Sequence, residues 1–159
     1  MDLFCSSKNY LDKFMENKKD IYVLYFNTRD ELLRVDLRKV LYFKSDRNYT
    51  DVYFVNGVHI TLPTGLMAIE QMLDDDKVRG RVIPFVRLGR SVIVNISYIL
   101  RINVPKQELL LSDTHIPGVY KISVSKEALR KLKDMYNQIG CPVLCSQKHA
   151  EKHPLLLLI

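Results

Sequence analysis

Between residues 21 and 124 the chain is a succession of short β-like runs, and this patterning constrains the fold more than any other feature. The runs fall at 21–26, 31–36, 39–45, 50–55, 59–63, 82–88, 91–95, 98–104, 108–112 and 119–124. They are rich in β-branched and aromatic residues and are split by turn formers such as Asn27-Thr28-Arg29-Asp30 and Asn56-Gly57. Asn56-Gly57, between VYFV and VHITL, is a strong hairpin signal because both residues tolerate positive φ. GLMAIEQML (65–73) breaks the pattern: Leu66, Ile69, Met72 and Leu73 recur at helical spacing behind Thr64 as N-cap, and Asp74–Asp76 ends the run. A second helix starts at Ser125, carries Ala128, Leu129, Leu132, Met135, Tyr136 and Ile139 on one stripe, and stops at Gly140 and Pro142. The expectation is a mainly β protein of about ten short strands, with one inner helix and helical arms at the termini.

A chain of 159 residues, 47% apolar and 26% charged, is long enough for one domain with a buried core. Residues 1–20 read as an N-terminal helical arm that Lys18-Lys19-Asp20 closes, 21–139 as the domain, and 140–159 as a C-terminal tail. Cys5, Cys141 and Cys145 cannot all pair within one chain, and their spacing is not that of a secreted disulfide framework. No signal-peptide pattern opens the chain, and its longest wholly apolar stretch, Leu155–Ile159, is far short of the roughly 20 residues a membrane span needs. A cytoplasmic protein with no membrane span is expected. The net charge of +6 suits an acidic partner such as nucleic acid or an anionic membrane surface.

Nothing in the pattern supports catalysis. Phosphate-binding glycine motifs are absent, and His59, His115, His149 and His153 accompany no nucleophile motif. Asp74–Asp76 reads as a solvated run rather than a metal site. In the tail, Cys141, Cys145, His149 and His153 recur four apart. On one helix such ligands would span about 18 Å, against a zinc–ligand distance of about 2 Å. No metal or other cofactor is expected.

Three polar, basic stretches between apolar runs remain. PFVRLGRSVIVN (84–95) places Arg87 and Arg90, with Gly89 and Ser91, between two strand-like segments, where an unpaired buried guanidinium would cost several kcal/mol. It therefore reads as two strands joined by an exposed basic turn. SDRNYTD (45–51) offers Arg47, Asn48, Tyr49 and Thr50, and SVSKEALRK (123–131) places Lys126 at the start of a helix. Arginine can grip guanine or phosphate, asparagine can read adenine, and serine or threonine can hold phosphate.

VLYFKSDRNYTDVYFVNG, TLPTGLMAIEQML, PFVRLGRSVIVNISYILRI and ISVSKEAL resemble, in order and spacing, the LytTR DNA-binding domain over about residues 21–137. Phe85, Arg87, Arg90, Ser91, Ile93, Val94 and Asn95 carry the centre of its pattern. The resemblance implies an elongated, multi-sheet β fold that presents loops to successive major grooves, and a role in transcription regulation as in the output domains of bacterial response regulators. It implies DNA contacts on the Asn48-Tyr49-Thr50 turn, Arg90, Ser91 and Lys126, with the basic turn adding Arg47. Arg87 is expected to be structural and Asn95 to bond local backbone. The chain departs from the family at Gly89, where histidine is usual, at Lys126 in place of arginine, and at Lys44 in place of an acidic residue.

The segment before residue 21 is too short for a receiver domain, so a stand-alone regulator is expected, controlled through oligomerisation, its arms or a separate regulatory protein. Double-stranded DNA is the expected partner, bound by a homodimer or by copies paired on the DNA. The alternatives are a protein-interaction module that has lost DNA reading and, more weakly, association with a membrane surface through the apolar tail.

Overall fold

The computed structural model describes residues 22–78 and 84–138, without the side chains of 75–78. The N-terminal arm and the C-terminal tail, with its Cys, His and leucine residues, lie outside the described residues.

Among the described residues, ten strands form three antiparallel sheets. β1 (Val23–Asn27) and β2 (Leu32–Asp36) make a two-stranded hairpin. A five-stranded sheet runs in the order β5 (His59–Leu62), β4 (Tyr49–Phe54), β3 (Val40–Asp46), β7 (Val92–Asn95), β6 (Phe85–Leu88). The third sheet pairs β10 (Tyr120–Ser123), β9 (Glu108–Leu111) and β8 (Ile99–Asn103). α1 (Leu66–Val78) follows β5, and α2 (Lys126–Gln138) follows β10. The fold is mainly β, and each expected run overlaps a strand; residue 21 of the first run and residues 82 and 83 of the sixth lie outside the described residues.

The five-stranded sheet is the middle layer because its side chains alternate between two cores. Phe43, Val52, Leu62, Phe85 and Ile93 point to one face, where Leu66, Ile69 and Leu73 of α1 and Phe26 and Val35 of the small hairpin cover them. Leu88, Val92 and Val94 point to the other, against Leu109, Leu111 and Ile122 of the third sheet and Ala128, Leu129 and Leu132 of α2. A register shift between Val40 and Tyr42 puts the adjacent Leu41 and Tyr42 both on the second core, while Val40 and Phe43 face the first. All four residues of β7 are buried, including Asn95. The Asn95 amide donates to the Val40 carbonyl at 2.9 Å, and its oxygen accepts from Ser97 N–H at 3.0 Å. Its polar atoms are thereby satisfied inside the protein.

Three local expectations need correction. α1 runs to Val78, through the Asp74–Asp76 stretch rather than ending before it. Gly65, not Thr64, supplies the first carbonyl of that helix, accepting from Ile69 N–H at 3.3 Å. Met72 is exposed and lies off the buried stripe. At the Asn56-Gly57 hairpin, the Phe54 N–H donates to Val58 at 2.9 Å around three residues, and Gly57 takes φ 86°.

Asp36 closes β2 and accepts from the Arg38 backbone N–H and guanidinium, each at 3.0 Å. Burial alone would raise its carboxyl, but the hydrogen bonds and charge of Arg38, with Arg34 adding, hold it below the ordinary value. A pKa lower in the folded than in the unfolded state stabilises above the unfolded pKa, and that contribution is lost as pH falls through the folded one. Asp36→Asn is therefore expected to flatten the acid side of the stability profile, below about pH 4. Urea midpoints measured as a function of pH test this, and an unchanged acid limb would count against the pairing.

Candidate nucleic-acid interface

Two hairpin tips meet at one end of the five-stranded sheet. β3 and β4 are joined by Arg47-Asn48, with Asp46 paired to Tyr49 across the turn. Arg47 has φ 56°, a left-handed conformation that costs a non-glycine residue about 1–2 kcal/mol. Strain of this kind is held where the rest of the fold over-determines it, and functional sites are one such place. Arg47, Asn48 and Tyr49 all face solvent, Tyr49 with 53% of its surface exposed.

The second tip, Gly89-Arg90-Ser91, joins β6 to β7 beyond the last ladder pair, Leu88 with Val92. Gly89 has φ 67° and open space where a Cβ would lie. Backbone conformation rather than crowding is what favours glycine here. The Ser45 N–H donates to the Ser91 carbonyl at 2.8 Å, which holds the two tips side by side.

The β10–α2 junction completes the end. Ser123, Val124 and Ser125 share a cleft of about 170 Å³ with Leu88–Val92. Ser125 caps α2 as expected: its Oγ accepts from the Ala128 N–H at 3.3 Å and its carbonyl from Leu129 N–H at 3.1 Å. Lys126, the first residue of α2, is exposed beside the cap. The N-terminus of a 13-residue helix adds partial positive charge at the same place. Among the described residues, Arg47, Arg90 and Lys126 have no ion-pair partner. Their charge is available to an outside anion.

Thr50 departs from the expected set. It is fully buried, and its hydroxyl donates to the Thr64 carbonyl at 2.9 Å. Its side chain lies on the α1 face of the sheet with Val52, so it anchors the tip instead of facing a ligand. Thr50→Val is expected to lower stability by about 1 kcal/mol, the worth of one hydrogen bond, and to leave DNA affinity unchanged. Urea unfolding and a DNA titration on the same variant separate the two effects.

Arg87 braces the tip from behind and does not present its charge to solvent there, as its expected structural role requires. Its guanidinium meets the Glu70 carboxylate at 2.5 Å and donates to the carbonyls of Gly89 at 3.2 Å and Arg90 at 2.9 Å. Sequence reasoning missed Glu70. The available signal was an acidic residue one position after Ile69 and three before Leu73, at the edge of the buried stripe of α1, where a charge needs a partner.

A mainly β protein that gathers basic and polar hairpin tips beside a helix N-terminus has the features of a DNA-binding module. The family model of the LytTr DNA-binding domain matches residues 30–137, and the chain belongs to that family. The protein is thus a DNA-binding protein of a transcription-regulator family. Among solved structures, it is similar to a LytTr DNA-binding domain from Bacillus cereus, with 24% identity and a TM-score of 0.52, covering 72% of this chain and 96% of that one. This likeness is one of fold. No curated protein gives a significant match. Among the described residues, no helix is long and apolar enough to cross a membrane.

Proposed function

We propose that the protein regulates transcription by reading specific sequences of double-stranded DNA in the major groove through its two hairpin tips. The observation that carries this reading is that Arg47, Asn48, Tyr49, Arg90, Ser91 and Lys126, from three separate stretches of chain, reach solvent together at one end of the molecule. A two-stranded β-ribbon fits the major groove, which is about 12 Å wide. The Arg90 guanidinium suits the O6 and N7 acceptors of guanine, and the Asn48 amide suits N6 and N7 of adenine. Tyr49 offers an apolar ring edge to sugar or to a thymine methyl. Lys126 is a point charge for phosphate rather than a bidentate fork. Ser91 and Arg47 add phosphate contacts at the rims of the two tips.

One small module buries limited surface on DNA, so the protein binds paired sites, as a homodimer or as two copies on adjacent half-sites. Its activity is set by that pairing or by a separate regulatory protein, and neither catalysis nor a cofactor is involved.

The test is a titration of duplex DNA at several salt concentrations. Phosphate neutralisation requires log K to fall linearly with log salt. Lys126→Ala is expected to weaken binding to all duplexes alike and to reduce that slope by about 1. Binding that is indifferent to salt, or absent at low salt, would reject the reading.

A further inference from the structure

Arg87 and Glu70 hold no DNA-facing position, yet they bear on the tip that presents Arg90. A three-residue turn that begins with glycine has a loose backbone, since glycine populates left- and right-handed φ about equally. Two carbonyls of this turn, those of Gly89 and Arg90, accept from Arg87, which lies just before it on β6. The third guanidinium nitrogen is fixed by Glu70 on α1, seventeen residues earlier in the chain. The guanidinium is a rigid planar fork, so its orientation sets both carbonyl positions at once. The pair is only partly exposed, 26% for Arg87 and 39% for Glu70, which limits competition from water. α1 in turn is seated in the core by Leu66, Ile69 and Leu73. A continuous set of contacts thus runs from the core, through Glu70 and Arg87, to the backbone of Gly89 and Arg90.

We infer that Glu70 and Arg87 form a positioning clamp that pre-organises the Gly89–Ser91 turn, and so determines base selectivity at Arg90 without touching DNA. The clamp offsets the freedom that glycine introduces at residue 89, where φ is 67°. Ordering the turn before binding removes an entropic cost that would otherwise be met on the DNA. The inference rests on the proposed reading of DNA by this tip.

The test uses Glu70→Gln and Arg87→Lys in the full chain, with two readouts. Glu70→Gln keeps the shape of the side chain but removes the charge that orients Arg87. Arg87→Lys keeps the positive charge but cannot span both carbonyls. Backbone order parameters of Gly89, Arg90 and Ser91 in the free protein are expected to fall from about 0.85 toward 0.6 in both variants. Affinity for the duplex that wild type selects is expected to fall about tenfold, while affinity for unrelated duplex and the salt slope stay put. Urea midpoints confirm that the variants are folded, and Glu70→Gln serves alone if Arg87→Lys is not.

An equally rigid turn in both variants would overturn the clamp. A loosened turn with unchanged selectivity would overturn its role in specificity. Equal losses on selected and unrelated duplexes would overturn it as well, by making Arg87 a phosphate contact. Failure of wild type to prefer any duplex rejects the DNA-reading proposal itself, whatever the order parameters show.

Discussion

Arg90→Ala is expected to cost about 1–3 kcal/mol on a cognate duplex, or about five- to 150-fold in affinity, and to relax base preference at one position of the site. The side chain is exposed at the apex of the β6–β7 turn and has no ion-pair partner among the described residues. Truncating it should therefore leave stability within about 0.5 kcal/mol of wild type. Removing a fork that bridges two acceptors of one guanine strips selectivity as well as attraction. Arg90→Lys sharpens the test, because it keeps the charge and loses the fork. It should hold unrelated DNA as wild type does while still losing selectivity. The checks are titrations of each variant on cognate and scrambled duplexes. A loss by the same factor on both would assign Arg90 to phosphate and contradict base reading.

Phe43→Ala is expected to lower the free energy of unfolding by about 3–5 kcal/mol. Phe43 is fully buried at the centre of the middle sheet, paired across the ladder with Val52 on one side and Ile93 on the other. Its ring lies tilted against Phe85, with centroids 5.5 Å apart. Neighbours held in a sheet cannot collapse into the space a phenyl group leaves, so a cavity term adds to the lost transfer energy. Against a typical total of about 5–15 kcal/mol, this is a large share of the stability of the fold. Urea unfolding followed by circular dichroism measures it. A loss under about 1 kcal/mol would mean that α1 and the sheet do not pack as described. Because residue 43 lies on the strand leading to the Arg47–Tyr49 tip, DNA binding should disappear together with the folded population.

Much of the architecture was legible because a strand announces itself locally. Alternation of β-branched and aromatic residues, punctuated by turn formers, marked all ten strands, and Ser125 marked the start of α2 by one side chain and one backbone bond. What local patterning could not reveal was tertiary. Asp74–Asp76 look like a helix stop, yet aspartate is tolerated in the last turns of α1, whose hold on the sheet comes from Leu66, Ile69 and Leu73. The left-handed residue of the first tip is Arg47, although Asn48 is the better intrinsic candidate. Thr50 carries a different lesson. The two-residue period from Val52 places it on the core face, and only the motif argued for a ligand-facing role. The Glu70–Arg87 pair links residues on a helix and a strand that no spacing rule connects. Which faces of the tips were exposed followed from the hairpin registers, and their meeting followed from β3 pairing with β7.

The most direct test of the central claim is selection of bound fragments from a random double-stranded DNA pool by the wild-type protein at physiological salt, sequenced after several rounds. The account predicts enrichment of a motif with a guanine at one invariant position, repeated at a spacing near one helical turn, about 10 base pairs, if two copies bind together. A pool that stays random after selection would contradict specific reading of DNA by this chain, and would point to a protein partner for the same surface.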